Sequence, residues 1–480
     1  MPFVGVPHRK QFVIGRSADL SRHQWPERFL KVALQSGWDI MHCPDLRLHV
    51  APSAGGRENV LIGEIAEADP EKPSPWKALR LIDRTNVAEI TKSWTGHWLL
   101  ILPDGELFAD CCGIFSVYMP RDKLLQKSGA FVVSNSPSLM IEFYKLPKDE
   151  RPTKPLQPFA MPPWCFRPEL RLLMAGEVLD LVSGKRSKTP YHPFQPMDVT
   201  TAEVRRRVAT YLSTAIDRLQ ETRAETISCA LSGGYDTRLN LSAALSKAKP
   251  VEAFTFVKPY FYITEADRLI PPKIASRMNV SHKMIHVGKF DPDRARAYVE
   301  HAGGCVSTYP GNGYYHYAHG FWKEAGEGRI ALDGQCYELA VNYHRTKFEP
   351  DFDAASVRAY GFGITDEDFS EVHDHWEHIR ETAFPFDRRD LLFWTGNING
   401  VYARMTQKHD LFADLFFPAC NRDQFNLLLS VPIEERERCA FEATITAALA
   451  PQLEGIPYNP QEPFIKRLVE RLRNEVLKRI

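Results

Sequence analysis

The feature that most constrains the fold is a glycine-containing turn between a buried strand and a helix. Residues 226–231, Thr-Ile-Ser-Cys-Ala-Leu, form an apolar run with the length of a buried β-strand, and Ser-Gly-Gly-Tyr-Asp-Thr follows directly. Residues 239–245 then predict a helix. Such a turn points backbone N–H groups and the positive end of the helix dipole at one spot. The turn therefore predicts a phosphate site.

The residue types in the turn indicate that a metal ion accompanies the phosphate. Gly233 and Gly234 allow close approach of the backbone, and Ser232 and Thr237 add hydroxyl donors. Asp236 would repel a phosphate unless Mg²⁺ bridged the two. The alternative is a tight strand-to-helix turn in which Asp236 only caps the helix. The turn is neither a Walker A loop nor a dinucleotide-binding fingerprint.

Strands and helices alternate around this turn. Apolar residues at helical spacing predict a helix that begins at Thr200 or Thr201. A strand at Val251–Val257, a helix at Glu265–Met278 and a strand at 283–287 follow the turn. This alternation predicts a parallel, doubly wound sheet.

The first part of the chain, to about residue 145, is rich in predicted strands. Apolar runs at 98–102 and 130–133 are bounded by turn residues, and Pro103-Asp104-Gly105 predicts a hairpin. Residues 147–196 contain ten prolines, which predicts a connector on the protein surface with one β-like run at 175–184. The predicted division is an antiparallel sheet domain at 1–146, a connector at 147–199 and an α/β domain at 200–480.

Charge and composition narrow the classes of function. The 60 Lys and Arg residues balance the 60 Asp and Glu residues, so net charge favours neither nucleic acid nor an anionic membrane as partner. No apolar run approaches about 18 residues, and the N-terminal residues lack a secretory signal pattern. The nine cysteines show no spacing typical of a zinc site, which predicts reduced thiols in the cytoplasm.

Two further segments allow two interpretations each. The aromatic residues in 309–322 either line a substrate pocket or begin a helix with aromatic core contacts. Residues 464–480 predict an amphipathic helix. Its basic face is either exposed to solvent, or it forms a lid or contacts a partner.

Several motifs resemble those of one enzyme family. Residues 232–237 are similar to the pyrophosphate-binding loop of the N-type ATP pyrophosphatases. Within that superfamily the chain resembles the asparagine synthetase family over nearly its full length. Further segments similar to those of the family occur along the chain in the same order as in the family. These segments are 110–118, 133–139, 175–184, 333–339 and 417–422 with 427–432.

The resemblance implies a fold, a chemistry and a set of site residues. The implied fold is an α+β N-terminal domain, an Ntn-type β-sandwich, followed by an α/β domain whose parallel sheet is adenine nucleotide α-hydrolase-like. The implied cofactors are ATP and Mg²⁺, with ATP cleaved between the α- and β-phosphates. The residues carried over are Glu338 and Gln335 as catalytic, Asp236 and Glu338 as metal ligands, and Leu231, Ser232, Gly233, Gly234, Asp236, Thr237, Phe256 and Gly334 as ATP-binding.

The chain departs from the family pattern in both predicted domains. Residue 2 is Pro where glutamine-hydrolysing members expose a cysteine, and the nearest cysteine is Cys43, so no ammonia release from glutamine is expected. The acidic loop is one residue shorter than in the family. When the chain is set against the family pattern, Gln335 falls near the position of the family's catalytic base and Tyr337 near the position of its aspartate. Glu442 falls near the position of a lysine late in the family's sequence.

These observations predict an ATP-dependent carbon–nitrogen ligase of asparagine synthetase type. A carboxylate would be adenylated and an amine would displace AMP. The expected partners are small-molecule or peptide carboxylates and amines, with a second copy of the chain as a candidate and neither nucleic acid nor membrane. The departures are compatible with β-lactam-forming synthetases or lasso-type peptide cyclases. The alternatives are an accessory nucleotide-binding pseudoenzyme and, disfavoured by neutral charge, a tRNA-modifying ATP pyrophosphatase.

Overall fold

A computed structural model gives the fold of most of the chain. It describes residues 8–53, 55–147, 167, 169–187, 190–223, 225–246, 250–257, 265–286, 329–359, 366–403, 406, 410, 413–437 and 441–459. The aromatic segment 309–322 and the predicted helix 464–480 lie outside the described residues, so both interpretations stay predictions.

Two antiparallel sheets make up the N-terminal part. The strands are β1 (Phe12–Arg16), β2 (Leu30–Ala33), β3 (Trp38–His42), β4 (Leu48–Pro52), β5 (Glu58–Glu67), β6 (Trp94–Ile101), β7 (Glu106–Ala109), β8 (Tyr118–Pro120), β9 (Val132–Ser134), β10 (Leu170–Leu172) and β11 (Val178–Asp180). One sheet has the order β10-β8-β9-β1-β3-β2 and the other β11-β7-β6-β5-β4. The hairpin predicted at 103–105 joins β6 to β7.

Short helices cover the outer faces of both sheets. The helices of this part are α1 (Ser17–Leu20), α2 (Pro75–Ala78), α3 (Val87–Thr91), α4 (Asp122–Ser128) and α5 (Pro137–Phe143), with a 3₁₀ turn at Leu79–Leu81. Along β6, Leu99 packs toward the other sheet, whereas Trp98 and Leu100 pack with residues of α2 and α3. Residues 98–101 of the strand are therefore continuously apolar, because both faces are buried there. The two-sheet sandwich is confirmed, and its assignment to the Ntn type stays a prediction.

The segment interpreted as a surface connector contributes strands to both sheets. Strand β10 pairs with β8, and β11 pairs with β7, both antiparallel. Leu170, Leu172 and Leu179 are fully buried. The surface interpretation is wrong for residues 169–187, because the prolines of this stretch lie outside that range and leave its backbone N–H groups able to pair.

The C-terminal part is built on a five-stranded parallel sheet. Its strands are β12 (Thr226–Ala230), β13 (Val251–Val257), β14 (Ser281–His286), β15 (Arg329–Leu332) and β16 (Asp414–Phe416). The order is β14-β13-β12-β15-β16, and every neighbouring pair is parallel. The chain moves outward from β12 to β14 and then continues on the other side of β12. The switch point of the sheet therefore lies between β12 and β15.

Helices surround this sheet. They are α6 (Thr201–Thr222), α7 (Asp236–Leu245), α8 (Glu265–Met278), α9 (Ala354–Ala359), α10 (Asp366–Thr382), α11 (Arg388–Leu392), α12 (Arg422–Leu429), α13 (Ile433–Glu437) and α14 (Phe441–Leu449), with a π-helix at Phe393–Tyr402 and 3₁₀ turns at Tyr337–Val341 and Pro451–Leu453. The predicted start of α6 is confirmed, since the Thr200 side chain caps it by accepting from the Glu203 N–H. Among the described residues, no helix has the length and apolar character needed to cross a bilayer.

Buried ion pairs join the two parts of the molecule. Asp414, at the start of β16, pairs with Arg9 and Lys10 ahead of β1 and with Arg223 behind α6. The Lys10 Nζ lies 2.9 Å from Asp414 Oδ1, and its side chain is 2% exposed. Burial alone would raise the pKa of Asp414, but the charges of Lys10, Arg9 and Arg223 hold it below its ordinary value. Ionised Asp414 is therefore a negative charge that all three cations share at this interface.

Replacing Asp414 by Asn should strongly destabilise the protein. Three buried cations would lose a shared partner, which costs about 3–5 kcal/mol when a buried pair is broken. Denaturant unfolding near neutral pH measures the change. The control is Asp104→Asn, whose partner Arg57 and whose own side chain are mostly exposed, with an expected cost of about 0–1 kcal/mol. Equal costs for the two variants would contradict the role given to Asp414.

Candidate functional site

The predicted phosphate loop leaves the carboxyl end of β12 and enters α7. It is anchored at its start, because the Leu231 N–H donates to the Phe254 carbonyl over 2.7 Å and the Thr255 hydroxyl donates to the Leu231 carbonyl over 2.7 Å. Helix α7 then begins at Asp236. The loop therefore combines the carboxyl end of a central parallel strand with a helix N-terminus.

Two hydroxyl groups hold the loop in a tight curve. The Ser232 N–H donates to Thr237 Oγ1 over 3.1 Å, and the two hydroxyl oxygens lie 3.0 Å apart. The Gly234 N–H donates to Ser232 Oγ over 3.0 Å. Ser232, Gly234 and Thr237 all remain partly exposed. The hydroxyls thus shape the loop around the start of α7 and stay accessible from solvent.

A second loop, after β15, lies against the first. The Asp333 N–H donates to the Phe416 carbonyl, and the Gln335 N–H donates to Asp333 Oδ1 over 2.9 Å. A Cβ added to Gly334 would lie 3.0 Å from the Asp236 Cβ, so the absence of a side chain at Gly334 permits this approach. The two loops therefore meet at the switch point, where ligands bind in open parallel sheets.

Four carboxyl groups share the electrostatic environment of this junction. Burial, with added repulsion from Glu338, Glu442 and Asp333, raises the pKa of Asp236 well above its ordinary value. Burial is also the main cause that raises the pKa of Glu338 to about 7, that of Glu442 to about 7 and that of Asp333 to about 6. Such mutual repulsion favours a cation among them.

The carboxyl groups fit a Mg²⁺ ion that is shared with a phosphate ligand. Glu338 Oε1 accepts a hydrogen bond from the Tyr402 hydroxyl over 2.9 Å. Glu338 Oε2 and Glu442 Oε2 are buried and have no hydrogen-bond partner among the described residues. No three of these carboxyls come within 4.8 Å of one another in the described part of the chain. Mg²⁺ at phosphate sites typically uses one or two carboxylates together with water and phosphate oxygens.

The remaining predicted site residues take different positions. Gln335 is partly exposed beside the junction, and its Oε1 has no partner among the described residues. Phe256 is half-buried near the carboxyl end of β13, next to the loop. The Leu231 side chain is 2% exposed and belongs to the core. Tyr337, near the position of the family's aspartate, is buried, and its hydroxyl donates to Asn240 Oδ1 over 2.7 Å. The ligand roles of these residues stay predictions.

Sequence reasoning missed two of the residues at the junction. Glu442, on α14, interacts electrostatically with Asp236 and Glu338, although in sequence it appeared only as a replacement for a lysine. Tyr402 comes from the π-helix Phe393–Tyr402. Both residues are far from the loops in sequence, so no local pattern could have indicated them.

A C-terminal strap, residues 456–459, crosses the phosphate loop. The Asn459 N–H donates to the Gly233 carbonyl over 2.9 Å. The Tyr458 ring lies between the Tyr235 ring, at a centroid distance of 4.2 Å, and the Arg238 guanidinium, at 3.9 Å. A Cβ at Gly233 would lie 1.8 Å from Asn459 Oδ1. Glycine at this position therefore leaves room for the Asn459 side chain, which would have to shift if residue 233 carried a Cβ.

Comparisons with known proteins find weak structural likenesses. No family model and no curated protein sequence matches the chain. A glutamine-dependent NAD⁺ synthetase from Acinetobacter baumannii in complex with ADP is 16% identical, with a TM-score of 0.22, over 37% of this chain and 32% of that chain. The chain thus spans about a third of the length of that synthetase.

Two smaller solved structures give similar values. An NMN synthetase from Francisella tularensis is 16% identical, with a TM-score of 0.24, over 41% of this chain and 94% of its own. An NH₃-dependent NAD synthetase from Campylobacter jejuni subsp. jejuni NCTC 11168, in complex with nitrate, is 12% identical, with a TM-score of 0.22, over 38% of this chain and 86% of its own. At these TM-scores the likenesses carry no argument, and the site rests on its own geometry.

The variant Glu442→Gln should change how stability depends on pH in the absence of divalent cations. Between pH 4.5 and about 7 the unfolded chain releases the Glu442 proton while the folded protein keeps it, so stability falls as pH rises through this range. Glutamine does not ionise. From about pH 5 to about pH 8, the variant should therefore gain about 2 kcal/mol relative to wild type.

Denaturant unfolding in the presence of a chelator at both pH values measures this difference. The control is Glu434→Gln, on an exposed position of α13, which should leave the pH dependence unchanged. A Glu442→Gln variant that loses stability relative to wild type on going to pH 8 would contradict the assigned environment.

Proposed function

We propose that the protein is an ATP-dependent carbon–nitrogen ligase, which adenylates a carboxylate and transfers the acyl group to an amine. One observation carries the proposal: the Ser-Gly-Gly-Tyr-Asp-Thr loop and the acidic loop meet at the switch point of a parallel sheet, so closely that a Cβ added to Gly334 would lie 3.0 Å from the Asp236 Cβ. A diphosphate needs hydroxyl and N–H donors, and its metal ion needs carboxylates. Both requirements are met on the two sides of one junction.

In the first proposed step a substrate carboxylate oxygen attacks the α-phosphorus of ATP. The bond from that phosphorus to the oxygen bridging to the β-phosphate breaks, and pyrophosphate leaves. Ser232, Thr237 and the start of α7 would hold the leaving diphosphate. Mg²⁺, held by Asp236 and Glu338, would neutralise part of the negative charge of the phosphates.

In the second proposed step an amine nitrogen attacks the acyl carbon, and AMP leaves. The amine must lose a proton, and Gln335 cannot accept it because an amide is not basic at neutral pH. Glu338 is the nearby group that can accept it, while Gln335 can orient the amine through its amide oxygen. The loops would thus mainly hold the two reactants in position.

Ammonia from glutamine is not part of the proposal. In the described part of the sandwich, Cys43, Cys111 and Cys112 are all buried, so none of them is exposed as a nucleophile. The amine would therefore be free ammonia or part of a larger substrate, as in enzymes that close an internal amide. This agrees with the expectation drawn from the family pattern.

A second candidate is a nucleotide-binding protein without turnover. The neutral Gln335 and Tyr337 in the acidic loop favour it, because they leave Glu338 and Asp333 as the only carboxyls of that loop. The two candidates share ATP binding and differ in adenylation.

Isotope exchange between pyrophosphate and ATP separates these candidates, since exchange needs the carboxylate but not the amine. The proposal predicts exchange with at least one member of a panel of amino acids, dicarboxylates and short peptides. Asp236→Asn should abolish exchange and weaken binding of Mg²⁺ with a non-hydrolysable ATP analogue at least about tenfold, or ~1.4 kcal/mol. Glu434→Gln, an exposed position on α13, is the control and should match wild type.

Calorimetric binding of the analogue without any exchange would support the nucleotide-binding candidate and contradict the ligase. Absence of binding to wild-type protein would contradict both candidates.

A further inference from the structure

Three cysteine side chains meet at the interface between the sandwich and the parallel sheet. Cys111 and Cys112 lie just after β7, and Cys420 lies just after β16. The Sγ atoms of Cys111 and Cys112 are 3.8 Å apart, those of Cys111 and Cys420 are 4.0 Å apart, and all three lie within 4.8 Å of one another. None of the three is bonded in a disulfide. Loops from both parts of the molecule therefore bring thiols to one buried point.

A fourth thiol comes from the acidic loop. The Cys336 side chain is buried beside this group, but its Sγ is not one of the three that lie within 4.8 Å of one another. Cys336 is 0% exposed and adopts a left-handed backbone conformation, with φ of +84°, which is uncommon for a residue other than glycine. This conformation turns the loop so that Cys336 enters the interface while Gln335 and Glu338 stay at the junction.

The spacing of the thiols fits ligands around a single metal ion. A Zn–S bond of about 2.3 Å in a tetrahedral site places sulfur atoms about 3.8 Å apart, and the observed separations are 3.8 and 4.0 Å. A disulfide would need sulfur atoms about 2.05 Å apart. Four thiolates in tetrahedral arrangement are typical of structural zinc.

A buried arginine beside the thiols provides an independent reason to expect negative charge there. Arg422 is 2% exposed, and all three nitrogens of its guanidinium lack a hydrogen-bond partner among the described residues. Its charge interacts with Cys111, Cys112 and Cys420, and it lies 3.7 Å from the Phe194 ring centroid.

A carboxyl group, that of Asp110, also lies beside the thiols, but it already accepts hydrogen bonds from the backbone. Its oxygens accept the backbone N–H groups of Cys112, Ile114 and Phe115. A buried cation without a counter-charge is costly. With four neutral thiols the Arg422 charge would be met by the Phe194 and Trp394 rings. A divalent ion bound by four thiolates carries a net charge of −2, and Arg422 would neutralise one of these two charges.

We propose that Cys111, Cys112 and Cys420 bind one Zn²⁺ ion between the sandwich and the parallel sheet, and that Cys336 moves onto the ion as its fourth ligand and closes a structural site. Each thiol gives up its proton on binding, and the ion takes all four sulfurs as ligands. The proposal departs from the expectation that the cysteines form no zinc site, which rested on sequence spacing alone. The proposal is independent of the proposed ligase activity.

The site would connect the interface to the acidic loop. Cys336 stands one residue from Gln335 and two from Glu338, so an ion on Cys336 fixes the backbone that presents both side chains. The zinc is thus a positioning element for that loop and takes no part in the reaction.

Metal analysis of the full chain, purified without chelator under reducing conditions, tests the site. The result expected is about one zinc per chain. After removal of zinc and reconstitution with Co²⁺, the protein should show thiolate-to-cobalt charge transfer and the visible bands of a tetrahedral ion. Cys420→Ser and Cys112→Ser should each lose most of the bound metal and the charge-transfer band.

The matched control is Cys229→Ser, a fully buried cysteine on β12 that is outside the cluster. It should keep both the zinc and the cobalt spectrum. The zinc and cobalt measurements on wild-type protein involve no substitution. They therefore test the proposal even if a variant does not fold.

Three results would overturn the proposal. The first is wild-type protein with less than a tenth of an equivalent of zinc and no cobalt–thiolate band on reconstitution. The second is iron with acid-labile sulfide, which would mean a cluster in place of a single ion. The third is Cys229→Ser losing metal to the same extent as Cys420→Ser.

Discussion

The reversal of strand order between β12 and β15 is the constraint on which the site depends. Because both strands run in the same direction, their carboxyl ends place the phosphate loop and the acidic loop on one edge, with no third strand between them. Gly334 then lets the loops touch, and the carboxyls of Asp236 and Glu338 come under mutual repulsion. In the proposed function a nucleotide with its metal ion would relieve that repulsion at this edge.

Local patterns predicted the parallel sheet and the phosphate loop because both depend on neighbours in sequence. The buried run at 226–231, the glycines after it and the helix start at Thr200 are short-range signals, and each appears where expected. Strand β11 lies inside the β-like run at 175–184, whereas β10 was missed because prolines on both sides hid the rest of the proline-free stretch. Glu442 and the cysteine cluster come together only through tertiary packing, which no spacing rule in a single sequence reports.

Burial of charge links the site to the interface between the two parts. Asp414 keeps its charge because three cations surround it, whereas burial, with added repulsion from neighbouring carboxyls, raises the pKa values of Glu338 and Glu442. Arg422 is the opposite case, a buried cation that faces thiols. Structural ion pairs thus hold the parts together, while the unbalanced charges mark the places where ions are proposed to bind.

The central claim is that the loop after β12 binds the diphosphate of ATP. An experimental structure of the full chain with Mg²⁺ and a non-hydrolysable ATP analogue tests it most directly. The account predicts β- and γ-phosphate oxygens within hydrogen-bond distance of Ser232 and Thr237, with the metal ion on the Asp236 carboxylate. A nucleotide bound elsewhere, with the loop still closed under the strap at 456–459, would contradict the account.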